Sequence, residues 1–130
     1  MKKKNNRPIE VEIINYGQYS EWDRESHQLP QFEKLTHEVI ADIGVEFGMI
    51  VEIRKGRNRY LEFIIDHPPF TNDAGEWEPP FTGTFRVKHN PYQFFLGDSI
   101  WAPVENKKGP WTMSILLDGE VLVSKTLELI

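Results

Sequence analysis

The stretch Gly109-Pro110-Trp111-Thr112-Met113-Ser114-Ile115-Leu116-Leu117-Asp118-Gly119-Glu120-Val121-Leu122-Val123 decides the fold class. Trp111, Met113, Ile115 and Leu117 alternate with Thr112 and Ser114, the period of two expected of a strand with one buried face. Beyond Asp118-Gly119 a second apolar set, Val121, Val123, Leu127 and Leu129, again falls on odd positions, broken only by Lys125. A two-residue turn would pair odd positions with even ones and set Trp111 opposite Thr126. A three-residue loop pairs odd with odd and puts both sets on one face. The expectation is therefore a three-residue loop, a type I turn followed by left-handed Gly119 in a bulge.

The same alternation recurs upstream. Val11 and Ile13 alternate with Glu10 and Glu12 in a first strand that ends near Tyr16-Gly17. Phe47, Met49, Val51 and Ile53 share one face, and Leu61, Phe63 and Ile65 follow after Gly56-Arg57-Asn58, which predicts a second hairpin with Ile53 opposite Leu61. The segment 32–43 suits a strand through Leu35 to Ile40, with a short helix as the alternative. Phe85 and Val87 open another strand, and Phe94 to Trp101 gives one more, interrupted at Gly97-Asp98. Prolines cannot donate to a ladder, so His67-Pro68-Pro69-Phe70 stops a strand. Residues 19–30 and 67–81 have loop composition.

About eight strands result, with no helical signature and no fixed-period repeat. That spacing favours an all-β, antiparallel sandwich. Its expected core is Val11, Ile13, Phe47, Met49, Val51, Ile53, Leu61, Phe63, Phe85, Val87, Trp111, Met113 and Ile115, with Trp101 beside them. Residues 1–8 are expected to form a poorly ordered tail and 9–130 a single β-sandwich domain.

The chain of 130 residues suffices for one two-layer core, and 39% hydrophobic with 12% aromatic residues argues against disorder. A net charge of −5 speaks against nucleic acid as a partner. No run is long and apolar enough for a membrane span. Lys2-Lys3-Lys4 resembles the charged start of an export signal, but Asn5, Asn6, Arg7 and Pro8 stand where its apolar segment should follow. The expected compartment is the cytoplasm, with export as the alternative for a chain already trimmed of its signal.

Tyr16-Gly17, the block Ile43-Gly44-Val45-Glu46-Phe47-Gly48, and Gly109-Pro110-Trp111 with Asp118-Gly119 and Lys125 resemble a bacterial family catalogued as domain of unknown function 3859. The resemblance spans most of the chain and rests on turn glycines, core aromatics and the final hairpin. It implies an immunoglobulin-like β-sandwich, and it carries no assigned activity, substrate or catalytic residues.

Few side chains suggest chemistry. His67 and His89 each follow a strand and could meet at one end with Asp66 or Asp73; His27 and His37 show no metal-ligand spacing to them. Asp73, Glu76 and Glu78 offer oxygens within one loop, without the ligand density of a calcium loop. Arg54, Lys55, Arg57 and Arg59 cluster at a turn, either to meet an acidic partner or to keep strand ends soluble. Trp22 and Trp77 lie in polar loops, where exposed indoles could stack on sugars. Phe70 and Phe81 flank the Pro-Pro pairs and could dock a partner domain.

There is no cysteine, nucleophile elbow, phosphate loop or helical metal motif, so the chain reads as non-enzymatic. No cofactor and no metal are expected. The leading expectation is a small binding module that contacts a protein partner through edge strands or the 19–30 and 67–81 loops. Its candidate contact residues are Trp22, Trp77, Phe70, Phe81, Arg57 and Arg59. A carbohydrate-binding module using the loop tryptophans is the alternative, and a metal-dependent enzyme the third reading. The final strand could also make a homodimer if it lies at an edge.

Overall fold

The computed structural model describes residues 8–23, 25 and 28–130. Residues 1–7 of the expected 1–8 tail, and His27, lie outside the described residues. Among the described residues nine strands form: β1 (Glu10–Tyr19), β2 (Phe32–Leu35), β3 (Glu38–Val39), β4 (Glu46–Arg54), β5 (Tyr60–Asp66), β6 (Phe81–Arg86), β7 (Tyr92–Ser99), β8 (Gly109–Leu117) and β9 (Glu120–Leu129). They make a four-stranded sheet, β2-β1-β4-β7, facing a five-stranded one, β3-β9-β8-β5-β6. Alternating apolar residues on both inner faces dictate that arrangement, since each sheet has one face to bury.

The count is nine rather than eight because the strand expected after Phe32 divides. β2 pairs antiparallel with β1, whereas β3 pairs parallel with β9 in the other sheet, so the sandwich is not wholly antiparallel. Thr36 makes the step between sheets. Its hydroxyl donates to Glu38 O at 2.8 Å and accepts from Glu38 N–H at 3.0 Å, satisfying locally what a continuous ladder would otherwise take.

The core follows the alternation closely. Phe47, Met49, Val51 and Ile53 from β4 face Leu61, Ile65, Trp111, Met113, Ile115, Leu127 and Leu129, all of them buried. Each such side chain contributes about 1.5–3 kcal/mol by leaving water. Val11, Ile13, Phe63 and Phe85 are half-buried against this cluster. Phe85 stacks on Phe94 with ring centroids 3.8 Å apart, closing the β6–β7 side.

The closing hairpin keeps the expected partners by a different device. Trp111 pairs with Leu127 and Ile115 with Val123, odd with odd. The turn, however, is the two-residue Asp118-Gly119, with φ of 50° and 84°, the signature of a mirror-image type I′ turn. Leu117 pairs with Glu120 and Leu116 with Val121, and the register then shifts by one residue at a bulge opposite Ile115/Leu116. The extra residue, Leu122, restores the parity. Val121 consequently lies on the outer face and is exposed, against the expectation that placed it with the core set.

The second expected hairpin does not exist. β4 and β5 belong to opposite sheets, and Ile53 is not the ladder partner of Leu61. Lys55 and Asn58 turn the chain out of the sheet with φ of 62° and 70°. Both strands present odd-numbered apolar residues because they face one another across the core, a pattern that pairing side by side would equally produce.

β1 runs on past Tyr16-Gly17 to Tyr19, and β7 runs unbroken through Gly97-Asp98. Gly17, Gly48 and Gly97 lie in one row across β1, β4 and β7, so Gly17 and Gly48 are mid-strand residues, not turn glycines. A Cβ on Gly48 would approach Leu96 O to 2.3 Å. Phe95 lies over this row, and Tyr19, whose hydroxyl donates to Asn15 Oδ1 at 2.6 Å, packs on Phe95 with centroids 4.9 Å apart. With Ile50, Trp22 and Leu29 they form a second, small apolar cluster on the outer face of the four-stranded sheet. Burial there pushes the Tyr19 phenol above the usual tyrosine range.

β9 is flanked by β8 on one side and by two-residue β3 on the other, which covers only Glu128 and Leu129. It is therefore covered at its end rather than being a bare edge strand.

Candidate functional site

The strand directions gather two sets of loops. One end carries residues 40–45, 67–80 and 100–108 with Ile130; the opposite end carries 55–59, 87–91 and the 118–119 turn.

The first end is aromatic. Trp111, fully buried, meets Phe47, His67 and Trp101 with centroids 5.1, 5.6 and 6.3 Å away. His67 lies between Phe70 at 4.4 Å and Phe81 at 4.7 Å. Its two ring nitrogens contact Pro68 O at 2.8 Å and Pro79 O at 2.9 Å, which fastens the 67–81 loop to the sheet. Asn72 shapes the loop tip, its Oδ1 accepting from the N–H groups of Ala74 and Glu76.

Lys107 completes this end from a short 3-10 turn, Glu105–Lys107. It is 1% exposed. Its ammonium donates to Pro103 O and Asn106 Oδ1 and lies 4.7 Å from the Phe70 ring and 4.5 Å from that of Trp101. The rings and carbonyl dipoles stand where a counter-ion would otherwise be needed. Burial pushes its ammonium below the usual lysine range. Lys107 O in turn accepts the Trp111 indole N–H at 2.7 Å. A groove of about 400 Å³ opens above, lined by Phe70, Phe81, Trp101, Asp73 and Glu78.

Large apolar side chains are exposed at this end. Trp77 is 71% exposed and Trp101 37%. Ile40, Ile43 and Ile130 are exposed at the same end, joined through the bonds Ala41 N–H to Ile130 O and Gly44 N–H to Ile100 O.

The opposite end is cationic. Arg54 pairs with Glu12 and Glu52, and Lys55 with Glu10. Arg57 and Arg59 have no ion pair among the described residues. Arg57 shares a shallow recess of about 450 Å³ with His89 and Asn90. His89 also borders a groove of about 490 Å³ lined by Trp22, Leu29, Lys88, Tyr92 and Gln93.

Of the six contact residues expected from the sequence, Phe70, Phe81 and Trp77 are brought to one end, and Arg57 and Arg59 to the other. Phe70 is buried and supports the groove instead of presenting itself. Trp22 is half-buried, its N–H donating to Gln28 O at 2.8 Å and its ring set edge-on to Phe95. It is not the open indole that a sugar platform needs. Trp101, expected in the core, sits beyond the end of β7 on the surface.

His67 and His89 do not meet. β5 and β6 are antiparallel, so His67, directly after β5, and His89, three residues beyond β6, lie at opposite ends. No group of three His, Asp or Glu side chains among the described residues could hold a metal, and the Asp73, Glu76, Glu78 loop is organised by Asn72. Sequence reasoning missed Lys107 and Lys88. Nothing distinguishes Lys107 from Lys108 until the fold buries one and leaves the other paired to Glu105. Among the described residues no helix is long and apolar enough to cross a membrane.

No curated protein matches the chain. Among solved structures it is similar to an immunoglobulin-like protein from Pseudomonas aeruginosa, with a TM-score of 0.74 and 20% identity over 95% of this chain and 98% of that one. The fold is thus an immunoglobulin-like sandwich. A family model described as a domain of unknown function (DUF3859) matches residues 7–129, and the chain belongs to that family.

Proposed function

We propose that this domain is a small non-enzymatic binding module that engages a protein partner through its aromatic end. The supporting observation is the concentration of Trp77, Trp101, Ile40, Ile43 and Ile130 as exposed large apolar residues around one end. Isolated exposed apolar residues are ordinary on a protein surface, but several large ones gathered at one end of a domain are the kind of feature that a partner covers. The groove at this end carries Asp73 and Glu78, and its base is rigid, because Lys107, His67 and Phe70 lock both loops to the sheet. Anchors held in place before binding lose less freedom when the partner arrives.

The test compares affinity capture from a lysate of the source organism by the wild-type domain and by Trp77→Ala. A protein retained by the first and lost by the second supports the reading; identical retention, or none by either, defeats it. The carbohydrate alternative keeps one supporting feature, the open Trp77 indole. Glycan-array binding abolished by Trp77→Ala and unaffected by Ile43→Ala would favour that alternative.

A further inference from the structure

We propose that the outer edge of β7 is a docking groove for an extended acidic segment of another protein, added as a fifth strand to the β2-β1-β4-β7 sheet. This site is separate from the aromatic end and does not rest on it. β7 pairs with β4 alone, so alternate N–H and C=O groups along Tyr92–Gly97 point away from the sheet, while at its end the Ser99 N–H is already held by Asp98 Oδ1 at 2.8 Å. A groove of about 490 Å³ lies against the first half of β7, lined by Tyr92 to Phe95 together with Trp22, Leu29, Lys88 and His89. Strand addition draws its affinity from main-chain hydrogen bonds and its selectivity from the side chains around them.

Charge selects the occupant. The domain carries −5 overall, yet the side chains lining this groove include Lys88 and no carboxylate. Arg54 and Lys55 are matched by Glu10, Glu12 and Glu52, while no carboxylate among the described residues pairs with Arg57, Arg59 or Lys88. Asp118 and Glu120 share this end but belong to the β8–β9 turn, separated from β6 by β5. An acidic segment is favoured here, and a basic one is repelled.

The corner is also preorganised. Lys55 N–H donates to Asn90 Oδ1 at 3.0 Å, Asn58 N–H to Val87 O at 2.7 Å, and Arg86 Nη1 to Asn58 Oδ1 at 3.0 Å. The two loops that present the cations are thereby tied to each other before any ligand arrives.

The probe is an acetylated octapeptide alternating valine and glutamate, titrated calorimetrically into the full chain, with the valine–lysine peptide as its counterpart. The glutamate peptide should bind at least about tenfold more tightly than the lysine peptide, and more weakly as salt rises. Amide exchange over residues 92–97 should slow in the complex. Arg57→Ala combined with Lys88→Ala should cut affinity by about tenfold or more, with an unchanged melting temperature. Trp77→Ala should leave this binding intact, so failure here and failure of the aromatic-end reading are distinguishable. No binding at millimolar peptide, equal affinity for both peptides, or unslowed exchange on β7 overturns the proposal. So does inorganic phosphate binding at these cations where the peptide does not, which would make the corner a small-anion site.

Discussion

At the aromatic end, the 67–80 and 100–108 loops bury rings, an imidazole and a lysine against Trp111; at the cationic end, the 55–59 and 87–91 loops are joined by main-chain and amide hydrogen bonds on the surface. Loops of one sandwich can therefore be either an extension of its core or a scaffold laid over it. The difference governs what mutation can show. Change at the first end perturbs binding and stability together, whereas charge at the second end can be altered with stability held nearly constant. Substitutions at three positions test how far this contrast extends.

Trp111→Ala should have the largest effect. The indole is fully buried, touches three other rings and donates to Lys107 O, so its loss should cost about 3–5 kcal/mol. Denaturant unfolding measures it. A cost below about 1 kcal/mol, the range of surface changes, would mean that the aromatic end is not continuous with the core.

Lys107 offers a sharper version. Lys107→Ala opens a cavity and removes two ring contacts, for a loss of about 2 kcal/mol. Lys107→Met fills much the same volume without the buried charge, so stability should hold or rise. The charge should also be visible in pH dependence. Burial lowers the folded-state proton affinity of Lys107, so between that lowered value and the ordinary 10.5 the unfolded chain binds more protons. Unfolding then takes up a proton, and stability rises with pH across that window. Tyr19 acts in the opposite sense above about pH 10, because its raised folded value makes the unfolded chain ionise first. Urea melts between pH 8 and 10 isolate the lysine: a rise in wild type that is absent from Lys107→Met supports the assignment. Equal slopes in the two proteins refute it.

Period-two alternation made the two-sheet core readable, residue by residue, from Phe47 through Ile115. It could not say which strands are neighbours, because β4 and β5 show the same parity whether they pair or face one another. Nor could it see Leu122 as a bulge, since a three-residue loop and a two-residue turn with a bulge give identical partners for Trp111. The candidate site was less legible still. Phe70 and Phe81 stood out as aromatics beside prolines, but the side chain that organises them is Lys107, a residue whose sequence context is that of any exposed lysine. Trp101 lies only six positions before it, but the burial of Lys107 also needs the ring of Phe70, more than thirty positions away, a non-local fact that no short window on the chain contains. Lys88 was hidden for the same reason: it acquires significance only because the β5–β6 register brings its loop beside Arg57.

The cationic end supplies the smallest and most diagnostic prediction. Asp118 holds φ of 50° in the type I′ turn, a left-handed conformation that asparagine tolerates better than aspartate. Asp118→Asn should therefore stabilise by a few tenths of a kcal/mol, roughly the scale of turn preferences, read as a rise in denaturation midpoint without a change in slope. The three-residue alternative, a type I turn with only Gly119 left-handed, would give asparagine no such advantage. A neutral or destabilising outcome would return the hairpin to that geometry, and with it would go the bulge at Leu122 that turns Val121 outward. Removing one negative charge on the far side of this end should leave peptide affinity at the β7 edge within about twofold, because screening limits its reach to roughly 8 Å at physiological salt.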